Sequence, residues 1–389
     1  MQNVAKYART PLLPFTNPKS KDKQFKAKLR REKKRMGKVL MKGNEVIAEA
    51  AINAGCRFFF GYPITPQSEL IAYMAKRLPE VDGVFLQAES EIAAINMVYG
   101  AAGTGARVMT SSSSPGFSLK QEGISYLVGA ELPAVIVNIM RGGPGLGNIQ
   151  PSQADYFQVT RGGGHGDYNT VVLAPSSLQE IVELTQEAFD IADRYRNPVI
   201  LAGDGLLGQM MEPVEFFPLE KRPPTEKNWA TTGTRGDGGP RIITSLELDA
   251  ESLEKRNVAL QQKFAEMKKR EVRYETYKTE DAEIIIVAYG TIARIALNAI
   301  KHARQAGMKV GLIRPISLWP FPEKPFVETR ENAKVYISIE MSAGQMVDDI
   351  RLAVNGYAPV EFFGRTGGVV PTQEEIYLKL MTVAGGVLA

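Results

Sequence analysis

The chain has 389 residues, a length that predicts two or three domains of roughly 100–200 residues each. A hydrophobic content of 44% and a charged content of 23% are typical of globular proteins and exclude global disorder. One cysteine excludes a disulfide framework, a cysteine-ligated zinc finger and an iron–sulfur cluster held by this chain alone.

The net charge of +4 is distributed unevenly along the chain. Residues 1–35 contain twelve Lys or Arg against Asp22 and Glu32, a net charge of +10, so the remainder carries −6. We expect this leader to be disordered, because prolines and dense like charge oppose a packed core. Two interpretations stay open: a solvated extension, or an arm for nucleic acid or another acidic partner. The acidic body gives no support to nucleic-acid binding.

Apolar periodicity predicts alternating helices and strands between residues 36 and 217. The predicted helices are 44–54, 67–77, 90–102, 117–129, about 152–160 and 177–194, and the predicted strands are 57–62, 83–87, 107–111, 134–139, 170–174 and 198–202. Several of these strands are uniformly apolar, which is typical of a parallel sheet covered by helices on both faces. The pattern predicts an α/β fold.

The alternation stops over residues 218–280. This stretch begins with an irregular segment rich in Pro, Gly and Thr, and a charged helix is predicted over about 250–278. A second α/β domain is predicted over 281–389, with strands at 283–288, 309–314, 335–339 and 359–363 and helices at 291–306, 345–355 and 373–384. No stretch approaches the roughly 18 apolar residues of a membrane-spanning helix, so we expect a soluble, cytoplasmic protein.

Several glycine-rich or polar motifs fail as nucleotide or metal sites. Gly100–Gly105 follows a helix and precedes a strand, the reverse of a dinucleotide fingerprint, and no P-loop sequence occurs. Gly203-Asp204-Gly205 resembles the start of a diphosphate-binding metal motif, but no Asn-Asn pair follows it, which favours a turn. Two histidines in different predicted domains and one cysteine do not predict a zinc site.

Polar loops follow several predicted strands of the first domain, at the edge where open α/β sheets bind ligands. Thr65 lies in the loop Gly61–Pro66, and its hydroxyl precedes a helix whose N-terminus suits an anion. Arg141 begins a glycine-rich loop that a ligand can approach closely. Glu89 and Glu91 flank the start of an apolar helix. One carboxylate is expected to interact favourably with the helix N-terminus, and the other could be a partly buried carboxyl.

Together these loops resemble the pyrimidine-domain (alpha-type) subunit of the 2-oxoacid:ferredoxin oxidoreductases. The matching segments are Tyr62-Pro63-Ile64-Thr65-Pro66, Glu91 with Gly100, Ser114-Pro115-Gly116-Phe117-Ser118, Arg141-Gly142-Gly143-Pro144, Leu312–Pro322 and Glu340–Gln345. The resemblance extends from about residue 36 to the C-terminus. It implies a thiamine-diphosphate-binding (pyrimidine-type) parallel-sheet domain over 36–217 and a transketolase-C-like α/β domain over 281–389.

The resemblance also implies roles for individual residues. Glu91 is expected to contact N1′ of the thiamine aminopyrimidine as a catalytic carboxyl, whereas Glu89 fits the motif less well. Thr65 and Arg141 are expected to bind the substrate carboxylate, and His165 to orient substrate or relay a proton, unless it only holds its loop. Cofactor contacts are expected from Tyr62, Pro63, Ile64, Ser114, Pro115, Gly116 and Glu91.

The resemblance implies a chain that is active only with other subunits. A partner subunit is expected to supply the diphosphate-binding domain with Mg²⁺ and an iron–sulfur cluster, and gamma-type and ferredoxin-like subunits to complete the complex. The reaction implied is oxidative decarboxylation of a 2-oxoacid to an acyl-coenzyme A, with electrons passed to ferredoxin. No metal ligand is expected in this chain.

The loop after Arg141 and the segment Gly162–Tyr168 look most like the branched-chain (3-methyl-2-oxobutanoate) enzymes. Without a second cationic group near Arg141 we expect a monocarboxylic substrate rather than 2-oxoglutarate. The alternatives are a 2-oxoglutarate or pyruvate enzyme subunit, or a catalytically silent assembly subunit of such a complex.

Overall fold

Strands and helices alternate along the first half of the chain, as the sequence predicts. The computed structural model describes residues 37–217, 226–233 and 239–387, so the leader and part of the irregular connection lie outside the described residues. The elements are β1 (Val39–Lys42), α1 (Gly43–Asn53), β2 (Phe58–Gly61), α2 (Ser68–Arg77), β3 (Val84–Gln87), α3 (Glu91–Gly103), β4 (Val108–Ser112), α4 (Ser114–Ser118), α5 (Gln121–Gly129), β5 (Val135–Met140), α6 (Tyr156–Thr160), β6 (Val171–Leu173), α7 (Leu178–Tyr195), β7 (Val199–Asp204), α8 (Gly205–Gln209) and β8 (Met211–Val214).

The second half contains a long charged helix and a second α/β arrangement. Its elements are α9 (Ala250–Arg270), β9 (Tyr274–Tyr277), β10 (Ile284–Val287), α10 (Gly290–Gln305), β11 (Val310–Pro315), β12 (Ser317–Trp319), α11 (Lys324–Thr329), β13 (Val335–Glu340), α12 (Met346–Val354), β14 (Val360–Gly364) and α13 (Gln373–Val387). None of the helices in the described ranges is long and apolar enough to cross a membrane.

Two large sheets organise these elements. A seven-stranded sheet has the order β12-β6-β7-β5-β4-β2-β3, and all its neighbouring strands are parallel except β12, which is antiparallel to β6. A five-stranded sheet has the order β14-β13-β10-β11-β9, in which only β9 pairs antiparallel. The predicted α/β class with parallel sheets is confirmed.

Helices cover both faces of the seven-stranded sheet. One apolar core contains residues of α1, α2 and α7, and a second core contains residues of α3 and α5. The second core continues into the other half of the chain through Tyr289, Leu318 and Phe326. Residues 38–389 accordingly form one compact unit.

Several predicted elements are wrong in extent. The predicted helix 117–129 is divided into α4 and α5, and the helix expected near 152–160 begins only at Tyr156. The helix expected over 250–278 ends at Arg270, because residues 274–277 form β9 and pair with β11. The predictions also missed the antiparallel pair of β1 and β8, together with α8, α11 and β12.

Candidate active site

The loops after β2 and β5 meet through Arg141, which directly follows β5. Its side chain is only 7% exposed. Nη1 donates to the carbonyl oxygen of Thr65 at 2.8 Å, and Nη2 donates to that of Leu146 at 3.2 Å. Nε has no hydrogen-bond partner among the described residues. A buried guanidinium with a donor to spare is suited to bind an anion beside Thr65, whose side chain is exposed.

Ser114 connects the carboxyl ends of β4 and β5. Its Oγ donates to Asp155 Oδ2 at 2.7 Å and accepts from the backbone N–H of Arg141 at 3.0 Å. Asn138 completes the network: its Nδ2 donates to Asp155 at 2.9 Å, and its Oδ1 accepts from Ser114 N at 3.1 Å. These bonds fix the start of the Arg141 loop.

Asp155 and Asn138 are polar residues at the site that the sequence analysis missed. Asn138 carries a signal, because it is the one polar side chain in the otherwise apolar strand Val135–Met140. Asp155 carries none, since its importance depends on the fold bringing it to Ser114. Burial raises the pKa of Asp155, and the hydrogen bonds from Ser114 and Asn138 and the charge of Arg141 oppose that rise.

Glu91 is the first residue of α3 and is only 6% exposed, whereas Glu89 is exposed. Ser90 caps the helix by accepting a hydrogen bond from Ala93 N at 3.2 Å. The Glu91 carboxyl lies against Gly116, next to the buried Ser112 hydroxyl, which has no partner among the described residues. Only a glycine at position 116 leaves room for Glu91 Oε1 and Ser112 Oγ together.

Lys120 is a further residue that the sequence analysis missed. Its side chain is completely buried, and Nζ lies 3.1 Å from Thr110 Oγ1 and 3.5 Å from the carbonyl oxygen of Glu91. Burial lowers its pKa to about 8, and the negative charge of Glu91 acts in the opposite direction. No local sequence pattern distinguishes this lysine from a surface lysine.

His165 lies in the loop between α6 and β6, is exposed, and packs against α5. Its Nδ1 is 3.3 Å from Ser125 Oγ, and its ring packs edge-on against Tyr126. None of its contacts among the described residues reaches Thr65, Arg141 or Glu91. Its predicted role in substrate orientation or proton transfer therefore stays a prediction.

The remaining predicted cofactor residues border the same edge of the sheet. Tyr62 and Pro63 are exposed, Ile64 and Pro115 are half-buried, and Gly116 is buried against Glu91. Gly203-Asp204-Gly205, the diphosphate-like sequence, has a local use: Asp204 ends β7 and accepts hydrogen bonds from Leu206 N and Leu207 N at the start of α8.

A cavity of about 870 Å³ lies between these loops and the second half of the chain. Residues that follow β4, β5, β13 and β14 line it, together with α6 and part of the segment before it: Ser114, Pro115, Ser118, Gly142, Gly143, Pro144, Gly145, Ser152, Ala154, Asp155, Gln158, Met341, Ser342, Ala343, Gln345, Thr366 and Gly367. These lining residues include no Lys, Arg or His. The cavity offers small and neutral polar groups beside one half-buried carboxyl, that of Asp155.

Comparison with known proteins places these features in a family. Residues 49–290 match the thiamine-diphosphate-binding domain of pyruvate flavodoxin/ferredoxin oxidoreductases, and residues 282–376 match core domain II of pyruvate:ferredoxin oxidoreductase. The chain is 52% identical to the ketoisovalerate oxidoreductase subunit VorB of Methanothermobacter marburgensis, over 90% of this chain and 99% of that protein. The chain belongs to the 2-oxoacid:ferredoxin oxidoreductase family.

Two further proteins of the 2-oxoacid:ferredoxin oxidoreductase family are less similar to this chain. The 2-oxoglutarate synthase subunit KorA of Methanothermobacter marburgensis is 36% identical, over 88% of this chain and 98% of that protein. The solved 2-oxoglutarate:ferredoxin oxidoreductase of Magnetococcus marinus is 27% identical with a TM-score of 0.79, covering 89% of this chain and 65% of the longer one. A split-gene transketolase, 15% identical with a TM-score of 0.56, shares the fold. The predicted family, fold class and oxidoreductase activity are confirmed.

The residues at this edge fit the cofactor that the 2-oxoacid:ferredoxin oxidoreductase family binds, thiamine diphosphate. The aminopyrimidine needs a carboxyl at N1′, and Glu91 offers one that is buried, at a helix start and next to a glycine. Two buried donors nearby, Ser112 Oγ and Arg141 Nε, lack partners among the described residues. A bound ligand would satisfy such groups, because a buried donor left unpaired is costly.

Proposed function

We propose that this chain is the pyrimidine-binding, alpha-type subunit of a branched-chain 2-oxoacid:ferredoxin oxidoreductase. The reaction converts 3-methyl-2-oxobutanoate and coenzyme A to the branched acyl-coenzyme A and CO₂, and two electrons pass to ferredoxin. The observation that carries this proposal is the 52% identity to a ketoisovalerate oxidoreductase subunit over nearly the full length of both chains. Against a 2-oxoglutarate synthase subunit from the same organism the identity is 36%.

The charges at the site support a monocarboxylic substrate. The Arg141 guanidinium and the Thr65 hydroxyl hold the carboxylate, since the two residues are joined by a 2.8 Å hydrogen bond and Arg141 Nε is free to donate. The described residues that line the neighbouring cavity offer no second cation for the distal carboxylate of 2-oxoglutarate. A small apolar side chain is compatible with the glycine-rich wall at Gly142–Gly145.

Glu91 serves as the catalytic carboxyl in this proposal. Thiamine diphosphate, when bound, would supply the nucleophilic carbon and the electron sink that decarboxylation of a 2-oxoacid requires. Glu91 would hold or exchange a proton at N1′ of the aminopyrimidine, while Ser114, Gly116 and the Tyr62–Ile64 loop border the ring. His165 acts, as we propose, on the substrate side from the loop over α5.

We infer that partner subunits bind the diphosphate, Mg²⁺ and the iron–sulfur clusters, because the candidate ligands of this chain are engaged elsewhere. Its single cysteine, Cys56, is fully buried in the core, and burial raises the pKa of its thiol to about 12, which opposes metal ligation. Asp204 is engaged as a helix cap. We therefore assign the diphosphate-binding domain, Mg²⁺ and the iron–sulfur clusters to a catalytic partner and to gamma-type and ferredoxin-like subunits.

Replacement of Glu91 with Gln tests the catalytic assignment. The complex is purified under anaerobic conditions, and acyl-coenzyme A formation is measured with a viologen acceptor. We expect Glu91→Gln to lower turnover by roughly 10²–10⁴-fold, because the amide cannot exchange a proton with N1′. The exposed Glu89→Gln is the matched control and should retain activity. Undiminished turnover in Glu91→Gln would favour the alternative of a catalytically silent assembly subunit.

A panel of 2-oxoacids in the same assay tests the substrate. The proposal expects 3-methyl-2-oxobutanoate to give the highest kcat/KM, above pyruvate and 2-oxoglutarate. A higher kcat/KM for 2-oxoglutarate would contradict the assignment of the substrate while leaving the family unchanged.

A further inference from the structure

Lys120 occupies an unusual place for a lysine. It joins α4 to α5, yet its side chain is completely buried and points back into the first half of the chain. Lysine side chains ordinarily keep their ammonium group in water, because its burial without compensation costs several kcal/mol. The mechanism proposed above gives this buried cation no role.

The ammonium group of Lys120 is held at the base of the site. Nζ donates to Thr110 Oγ1 at 3.1 Å, and the Thr110 hydroxyl in turn donates to the carbonyl oxygen of Phe60 at 2.6 Å. Nζ also lies 3.5 Å from the carbonyl oxygen of Glu91. Lys120 thus bridges β4 and the first turn of α3, the two elements that present Ser112 and Glu91.

The charge of Lys120 acts on one described neighbour, the Glu91 carboxylate. Burial alone would favour a neutral lysine, and the carboxylate is the group that favours the ammonium form. The attraction is mutual: the positive charge of Lys120 stabilises the negative charge of the Glu91 carboxylate.

We propose that Lys120 is a positioning residue for Glu91: its buried ammonium group anchors the first turn of α3 and stabilises the Glu91 carboxylate where this chain meets the cofactor. The inference rests on the proposed function, which makes Glu91 the cofactor-contacting carboxyl. The competing explanation is that the lysine merely fills the core, for which its aliphatic stem would suffice.

Neutral and charged substitutions at position 120 distinguish these explanations in the assembled complex. Lys120→Met keeps the length and removes the charge, Lys120→Gln keeps a hydrogen-bond donor without the charge, and Lys120→Arg keeps the charge. The control is Lys263→Met, which removes a largely buried lysine that pairs with Glu131. The measurements are the pH dependence of kcat/KM and the near-ultraviolet circular dichroism of the cofactor-bound complex over the same pH range.

We expect the acidic limb of kcat/KM to move to higher pH by about one unit in the two neutral variants, because they remove the positive charge beside Glu91. The circular dichroism should titrate with the same displacement. Lys120→Arg should restore the parental limb, and Lys263→Met should leave it in place.

The inference would be overturned if a neutral variant that assembles has the same pH profile and the same circular dichroism as the active parent complex. A change in thermal stability alone would not alter that conclusion. A parent complex without thiamine-dependent turnover would refute the proposed function itself. The two failures are thus distinguishable.

Discussion

Gly116 lies in α4 against the Glu91 carboxyl, and a Cβ atom at this position would overlap Glu91 Oε1 and Ser112 Oγ and come within 3.0 Å of Glu91 Cδ. The residue is needed for the space it leaves and not for its backbone conformation. The sequence resemblance marks Gly116 as a cofactor contact, whereas the structure gives it a separate steric task.

Gly116→Ala should therefore displace the Glu91 carboxyl and lower turnover by roughly 10²-fold, since a small misplacement of a catalytic group is costly. The measurement is kcat of the assembled complex beside its thermal midpoint. Gly385→Ala is the matched control, because Gly385 lies in the exposed part of α13 with no atom within 4 Å of the added methyl group. Unchanged kcat in Gly116→Ala would show that Glu91 can shift without loss.

At the scale of elements, the start of α12 depends on one buried carboxylate. Glu340 ends β13 and is fully buried. Its oxygens accept hydrogen bonds from the hydroxyls of Ser338 and Ser342 and from the backbone N–H groups of Gln345, Met346 and Val347. The segment 341–345, which lines the cavity, is shaped by these five bonds.

Glu340→Ala should lower the free energy of unfolding by about 3 kcal/mol, because all five donors to the buried carboxylate would lose their acceptor. Urea denaturation of the chain measures this loss. The control is Glu323→Ala, which removes an exposed ion pair with Lys268 and should leave the midpoint of urea denaturation unchanged. Equal midpoints for both variants would mean that water or a rearranged loop replaces the carboxylate.

At the scale of the whole molecule, the two halves are joined by a common sheet and by buried side-chain contacts. β12 from the second half is the edge strand of the first sheet, beside β6. Arg314, only 6% exposed in its side chain, forms a double hydrogen bond with Glu180 of α7 at 3.0 and 2.7 Å. Gln153 bonds with the backbone of Tyr289 and Met341.

Residues 38–389 should consequently unfold in one calorimetric transition. Arg314→Met should lower its midpoint by on the order of 5 °C, because Glu180 is left without its cation. Lys309→Met, which removes an exposed pair with Glu283, should have little effect. Two separated transitions in the parent protein would contradict this shared stability.

Much of the fold was predictable because its signals are local. β5 and β7 are predominantly apolar and fully buried, and α7 has a continuous apolar stripe, so hydrophobic periodicity alone located them. β9 and β12 were missed because each is short and exists only through its pairing with β11 or β6, and the charged sequence after Arg270 reads locally as more helix.

The sequence by itself determined the family, the α/β class and the loops that carry Thr65, Glu91 and Arg141, because motif residues and buried strands leave their mark on neighbouring positions. Only the tertiary structure decided that Asp155 would meet Ser114, that Lys120 would lie buried beside Glu91, and that His165 would pack on α5. Those contacts join residues distant along the chain, and no local pattern encodes which of them a parallel sheet will bring to one edge.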